Sequence, residues 1–378
     1  MSFSQSSVLK CASAAFAAVI LGCGPSDGVK EFSEGKEAYE LRDLKKAERL
    51  FTESLAFAPQ DVDRLLYLAR TELELGELDR AKDLIEQTAG NSEGDADVAI
   101  LKSQIAWHAK DYKTAASGFT DIANDEKLDA VVRSQGWAGL GVVEMTCDNH
   151  HLARVAFLRA IRLDRKNAAA WYHLGLLYRD GFGYLEPALE QFEIFVRLEE
   201  QSSPRVQKVQ RTVIPALKES ISRAAAERPG VAKRNSASCA ASISAAEAAV
   251  KKGNFKAARE AYQKALAADP LSYPAALGLA KAWEKTDATR DGQAKAFENY
   301  RTACALRPSA VTTFLTAGIL AAKLGLNLQT VEIYSRAVAA NPNSLDALDG
   351  LIRALRKIGG KEKVAAAYQA YRTSLARK

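Results

Sequence analysis

Few residues of this 378-residue chain could do chemistry, and none stands in a pattern that chemistry needs. The chain has four His and five Cys. His150 and His151 are neighbours, and neighbouring side chains on a helix point about 100° apart. The pair makes a poor bidentate metal ligand and reads as part of a turn. His173 stands just before Leu174 and Gly175 and could face a ligand. Cys147, Cys239 and Cys304 match no metal or redox spacing and read as small buried thiols. Glu199 and Glu200 lie beside Gln201 and Ser202 at a helix end and read as solvated. There is no G-x-x-x-x-G-K-[ST], H-E-x-x-H or G-x-S-x-G run, and no strand-rich segment to mount one. The sequence predicts no catalytic residue, no metal site and no cofactor, and so a protein that is not an enzyme.

Cys23 is the exception. Met1 to Lys10 is short and polar, and Cys11 to Leu21 is apolar and small. That run has the length of a signal-peptide core and falls short of the roughly 20 residues a membrane span needs. The four residues Ile20-Leu21-Gly22-Cys23 that follow resemble the lipobox of bacterial lipoproteins. The resemblance implies that residues 1–22 are removed and that Cys23 carries a diacylglycerol thioether. It implies a lipoprotein facing the periplasm. Gly24 in place of Asp implies the outer membrane. Two or three acyl chains anchor stably where one does not.

The elements that must position any site repeat with a period of about 34 residues. Ala47, Ala81 and Ala115 are each followed four residues later by Phe51, Ile85 and Phe119. Ala153 with Phe157 and Ala188 with Phe192 continue the series, preceded by Trp137-x-x-Leu140-Gly141 and Trp171-x-x-Leu174-Gly175-x-x-Tyr178. Pro59 closes the first copy. The pattern returns at Ala258, Tyr262 and Pro270, at Ala296, Tyr300 and Pro308, and at Gly318, Tyr334 and Pro342, with a degenerate last copy through Tyr368. The motif resembles the tetratricopeptide repeat (TPR), a helix-turn-helix unit. The resemblance implies an all-α superhelix of about nine repeats in two arrays, with a concave groove lined by the first helix of each repeat. Its implied role is protein–protein interaction.

Three departures stand out. Residues 180–184 and 286–292 lengthen the turns of the fifth and seventh repeats and read as tolerated turns. Ser103 stands where Gly or Ala is usual, which leaves its packing open. Residues 201–238 break the repeat. Ser203 reads as an N-cap and Pro204 as the first helical residue, opening one long helix bent at Pro215. The predicted layout is a signal peptide at 1–22, an array at 23–200, a capping helix and linker at 201–238 and an array at 239–378.

The net charge of +6 conceals a split. Segment 24–200 carries about 22 basic and 33 acidic residues, segment 201–238 about 8 and 2, and segment 239–378 about 21 and 11. The family resemblance implies that the earlier groove presents Arg70, Gln104, Trp107, His108, Tyr172, His173 and Arg179. The later groove would present Lys251, Lys281, Lys285, Lys323, Arg353, Arg356 and Lys357, against Glu247, Glu284, Asp346 and Asp349. The chaperone-tail clamp of some TPR proteins is not expected, because Phe32 and Lys36 occupy its Lys and Asn positions. No nucleic-acid motif is present and no small-molecule substrate is implied. The expected function is a scaffold or assembly adaptor for an unidentified envelope protein or peptide, held at the membrane by its N-terminal lipid. The rival reading is a module that grips an anionic polysaccharide or lipid during export. A third is head-to-tail association of acidic and basic halves.

Overall fold

A computed structural model describes residues 27–89, 95–227 and 234–376. Cys23 and the rest of the segment expected to hold a signal peptide and lipobox lie outside the described residues. Among the described residues the fold is helical throughout, with no strand. No helix there is long and apolar enough to cross a membrane.

The helices come in pairs. They are α1 (Val29–Glu40) with α2 (Leu44–Leu55), α3 (Val62–Leu75) with α4 (Leu78–Glu86), α5 (Ala96–His108) with α6 (Tyr112–Asn124), α7 (Ala130–Thr146) with α8 (His150–Leu163), and α9 (Ala168–Leu176) with α10 (Leu185–Leu198). After α11 (Pro204–Lys208) and α12 (Ile214–Ala226) the pairs resume. They are α13 (Ser236–Lys251) with α14 (Phe255–Ala268), α15 (Tyr273–Thr286) with α16 (Arg290–Leu306), α17 (Val311–Lys323) with α18 (Asn327–Ala340), and α19 (Leu345–Ile358) with α20 (Glu362–Ala376).

Local chemistry starts and stops these helices. Asp43, Asp61, Asp95, Asp111 and Asp129 cap their helices by accepting backbone N–H bonds, and Asn167, Asn254, Ser272 and Ser344 do the same later in the chain. The tight turn before many second helices needs one left-handed residue. Gly76, Gly253 and Gly325 supply it without strain, while Arg42, Lys110 and Asp148 adopt φ of 63°, 62° and 58°.

The repeat residues form the core as their spacing predicts. Ala47, Ala81, Ala115, Ala153, Ala188, Ala258 and Ala296 are completely buried. Phe51, Phe157 and Phe192, four residues after their alanines, are equally buried. A Cβ on Gly318 would sit 2.6 Å from the Tyr334 ring, so only Gly allows those two helices to meet. Ser103 is accommodated by a partner: its Oγ donates to the Ala99 carbonyl at 2.8 Å, and a Cβ on Gly118 would lie 2.3 Å from that same Oγ. Gly118 supplies the room that Ser103 takes. Trp137 and Leu140 are only half-buried.

The break in the repeat is one continuous helical run over 204–226, as expected, with a π turn dividing it into α11 and α12. Pro204 opens α11 as predicted, but Ser203 makes no side-chain cap bond. Residues Val209–Val213 form a π turn before α12. Pro215, which has no N–H and crowds the carbonyl four residues back, accounts for that irregularity. The segment packs on α10 through Val209 and Leu217, with a Lys218–Glu193 ion pair of 3.0 Å.

By packing, the chain divides into Met1–Cys147 and Asp148–Lys378. This cut falls in the turn between α7 and α8, inside the fourth repeat. The division by repeat register and charge, at 200 and 238, lies elsewhere. Recounted by compact unit, the charge split persists, with about 15 basic against 25 acidic residues in 24–147 and about 36 against 21 in 148–378, although residues 148–200 are themselves near neutral at about 7 and 8.

Candidate functional site

In the first unit α1, α3, α5 and α7 pack in succession, as a line of first helices must. Arg70 on α3 reaches Asp97 on α5 at 2.9 Å, and its guanidinium lies 5.8 Å from the Tyr67 ring. Gln104 and His108 are exposed on α5, and Trp107 is half-buried between them. The Trp107 Nε1 donates to Thr146 Oγ1 at 3.2 Å, and its ring meets His108 edge-on at 4.7 Å. Partial burial lowers the His108 pKa. Phe32, Tyr39 and Tyr67 make an aromatic group on α1 and α3, with Lys36 Nζ 4.6 Å from the Phe32 ring. Arg70, Trp107 and His108 are thus already engaged with neighbours, and Gln104 is the freest of the four.

The second unit holds the other candidates. Tyr172 packs on Phe195 at 5.1 Å, with the Arg205 guanidinium over its ring at 5.2 Å. His173 stacks on Phe157 at 5.9 Å with the rings 10° from parallel. Burial and the nearby Arg205 push its pKa down to about 4, and its enclosed Nδ1 has no hydrogen-bond partner among the described residues. It is a neutral core histidine more than a groove contact. Arg179 is spent on a bidentate bond to Asp180, 2.6 and 2.7 Å.

The later candidates differ in kind. Lys251 (α13), Lys281 and Lys285 (α15), Lys323 (α17) and Lys357 (α19) are all solvent-facing. None forms an ion pair among the described residues. Arg353 and Arg356 are exposed on α19. The spacings 281/285, 319/323 and 353/356/357 keep each group on one helix face, and α17 packs against α19. Ile319, one turn from Lys323, is 52% exposed. Two of the four carboxylates expected to offset this face are occupied. Glu284 accepts the Tyr300 hydroxyl, and Asp349 takes Arg372 bidentately at 2.6 and 3.0 Å. Asp349 is thereby compensated by a guanidinium, whereas Glu284, bonded to a neutral phenol, keeps its charge on this face.

Of the three thiols, Cys239 and Cys304 are buried as expected, and burial pushes the Cys304 thiol up to about 12. Cys147 is exposed, because it falls in the turn after α7 rather than on a core face.

One cluster escaped the reading of the sequence. Arg154 on α8 is completely buried in the second unit. Its Nε donates to Tyr368 Oη on α20 at 2.6 Å, and its Nη1 donates to the Ser335 carbonyl on α18 at 2.9 Å. The guanidinium lies 4.7 Å from the Phe182 ring and 5.2 Å from that of Tyr368. Tyr184 Oη donates to Ser335 Oγ at 3.2 Å, and Arg336 covers the Tyr184 ring at 4.9 Å. Arg162 Nη2 donates to the Ser374 carbonyl. These bonds fasten the last two repeats to the fourth and fifth. Phe182 and Tyr184 come from the insert read as a tolerated turn. Their rings stack 5.3 Å apart after the π turn Leu177–Gly181. The insert is a built contact. The 286–292 insert, by contrast, is a capped turn, with Thr289 Oγ1 accepting from Gly292 N at 3.2 Å. His151 also leaves its expected role in a turn: it is packed beside Tyr368, Nδ1 to Oη 3.1 Å. The available signal was the aromatic density of Phe182 and Tyr184 in an insert, which exposed turns do not need.

Tetratricopeptide repeat family models match residues 38–105 and 243–310. The chain carries tetratricopeptide repeats. The matches fall in the first unit and in the later part of the second. No curated protein sequence matches the chain. Among solved structures it is similar to a thermophilic TPR protein of Thermus thermophilus, at 19% identity over 51% of this chain and 99% of that one, with a TM-score of 0.45. It is similar to pilF of Pseudomonas aeruginosa at 14% identity, over 66% and 95%, TM-score 0.38. MamA of Desulfovibrio magneticus RS-1 is similar at 17% identity, over 47% and 98%, TM-score 0.35.

Proposed function

We propose that this TPR protein is a non-catalytic scaffold whose second unit holds an acidic segment of a protein partner, and that Cys23 anchors it by lipid to the bacterial envelope, facing the periplasm from the outer membrane. One observation carries the binding reading. Lys281, Lys285, Lys323 and Lys357 face solvent without ion pairs among the described residues, on first helices, while Asp349 is compensated internally by Arg372. An exposed Ile319 beside Lys323 gives that face an apolar contact that a purely ionic polymer would not require. The same exposure favours a peptide over an anionic polysaccharide. TPR domains serve as protein-interaction modules, and the absence of any catalytic sequence motif agrees with a scaffold.

The test is a crosslinked pull-down from native envelopes with the wild-type protein and with Lys281, Lys285, Arg353 and Arg356 all changed to Glu. The expected result is a stoichiometric protein that is lost on charge reversal. Recovery of glycan or lipid with no such protein would overturn the peptide reading. For the anchor, Cys23→Ser is expected to move the protein to the soluble fraction; retention in membranes would refute lipidation.

A further inference from the structure

We propose that His151 is an acid-sensitive release for the clasp within residues 148–378: protonating its Nδ1 sets a second cation against buried Arg154 and weakens the contact that fastens α20 to α8.

The geometry fixes the proton positions. Arg154 Nε can only donate, so at 2.6 Å it fills an acceptor site on Tyr368 Oη. The phenol proton is then free for His151 Nδ1, 3.1 Å away. The other neighbour of that nitrogen is Arg154 Nη2 at 3.4 Å, again a donor only. Two donors converge on Nδ1, so it must present a lone pair. The closed clasp requires a neutral imidazole with its proton on Nε2. A proton on Nδ1 would turn the acceptor into a donor, reverse the Tyr368 bond and place a cation beside a buried guanidinium.

Nothing nearby compensates. The charges that act on His151 are Arg154, Lys361 and His150, all cationic or neutral. Asp148 faces His150 at 3.7 Å. The insert contributes Phe182 and the phenols of Tyr178 and Tyr184, α20 contributes Tyr368 and Tyr371, and α18 contributes Arg336, which is turned to Tyr184. Burial and these cations lower the His151 pKa to about 3 in the closed form, from 6.5 in solvent. An opened clasp returns the ring to water. Its opening constant should therefore rise about 30-fold between about pH 7.5 and about pH 5. The clasp itself is a property of the isolated protein, and only its use by the cell rests on the exported location proposed above.

Hydrogen exchange of the α20 amides, corrected for the intrinsic rate, reads this directly. The wild-type protein is expected to lose about 30-fold of protection in α20 over that pH interval, and His151→Gln, which keeps an acceptor but cannot titrate, is expected to stay flat. An equal loss in His151→Gln, or no loss in the wild type, would overturn the proposal. A second measurement needs no variant: NMR titration of the His151 ring. A midpoint below about pH 5 sustains the release, and a midpoint above it refutes it. Fractionation of Cys23→Ser tests the location alone, so the two ideas fail separately.

Discussion

A buried guanidinium with no carboxylate among its bonds is an expensive choice, and Arg154 shows how the cost is met. A phenol, a carbonyl and two ring faces replace the missing anion. Arg154→Ala leaves those groups unpaired around a void and is expected to lower unfolding free energy by about 3 kcal/mol or more, read from denaturant titration. Arg154→Met keeps most of the volume and removes the charge, and should cost much less. Lys110 holds a left-handed backbone that Gly adopts freely, so Lys110→Gly is expected to raise stability by up to about 1 kcal/mol. His173 sets a pH dependence of its own. Its folded-state pKa, about 4, lies below the solvent value of 6.5, so the unfolded chain binds the extra proton. Stability is full above about pH 6.5, falls as pH drops towards 4 and levels below that, with a slope of at most about 1.4 kcal/mol per pH unit. Thermal melts of His173→Gln should lack that component.

At the level of helices, the repeat behaves as its sequence says in most places. The alanine and aromatic positions were legible because each packs against the same neighbours in every copy, and helix period alone selects them. The caps were not read: Ser203, the one N-cap named from the sequence, makes no side-chain bond, while Asp43, Asp61 and Asp111 cap helices without having been singled out. What could not be read was any contact between repeats far apart in sequence. The bond from Arg154 to Tyr368 spans 214 residues, and periodicity carries no information about which repeats meet. The basic candidates of α13, α15, α17 and α19 were nameable because they lie on first helices, but the engagement of Arg70 with Asp97 and of Arg179 with Asp180 depends on side-chain geometry. The clasp also changes what α20 does. In an open solenoid, removing the last helix disturbs only the repeat beside it. Here deletion of residues 362–378 is expected to expose Arg154, and to raise exchange in α8, which the 214-residue bond places far upstream, as much as in α19. An effect confined to α19 would count against the clasp as a structural tie.

For the molecule as a whole, packing and charge draw neighbouring but different boundaries. The acidic excess ends with α7, where the first compact unit ends, residues 148–200 are near neutral at about 7 basic and 8 acidic, and the basic excess begins after residue 200. Two compact units imply two folding units. Fragments 24–147 and 148–378, expressed apart, are each expected to unfold cooperatively by circular dichroism, whereas a 24–200 fragment should unfold like 24–147 with residues 148–200 adding little ordered helix, because that cut leaves Arg154 and Tyr184 without α18 and α20. Binding to the basic face should weaken steeply with added salt if charge dominates and only slightly if Ile319 and its neighbours carry the contact.

Repeat proteins ordinarily change length over evolutionary time, because duplicating or losing one unit leaves every other interface as it was. The second unit has surrendered that freedom. A duplication anywhere between Tyr184 and Ser335 would move Ser335 and Tyr368 a whole repeat away from the arginine that holds them. Descendants of this chain should therefore vary in repeat number ahead of Cys147 while keeping the count after it fixed, a pattern of insertions that genome comparison can read without any protein in hand.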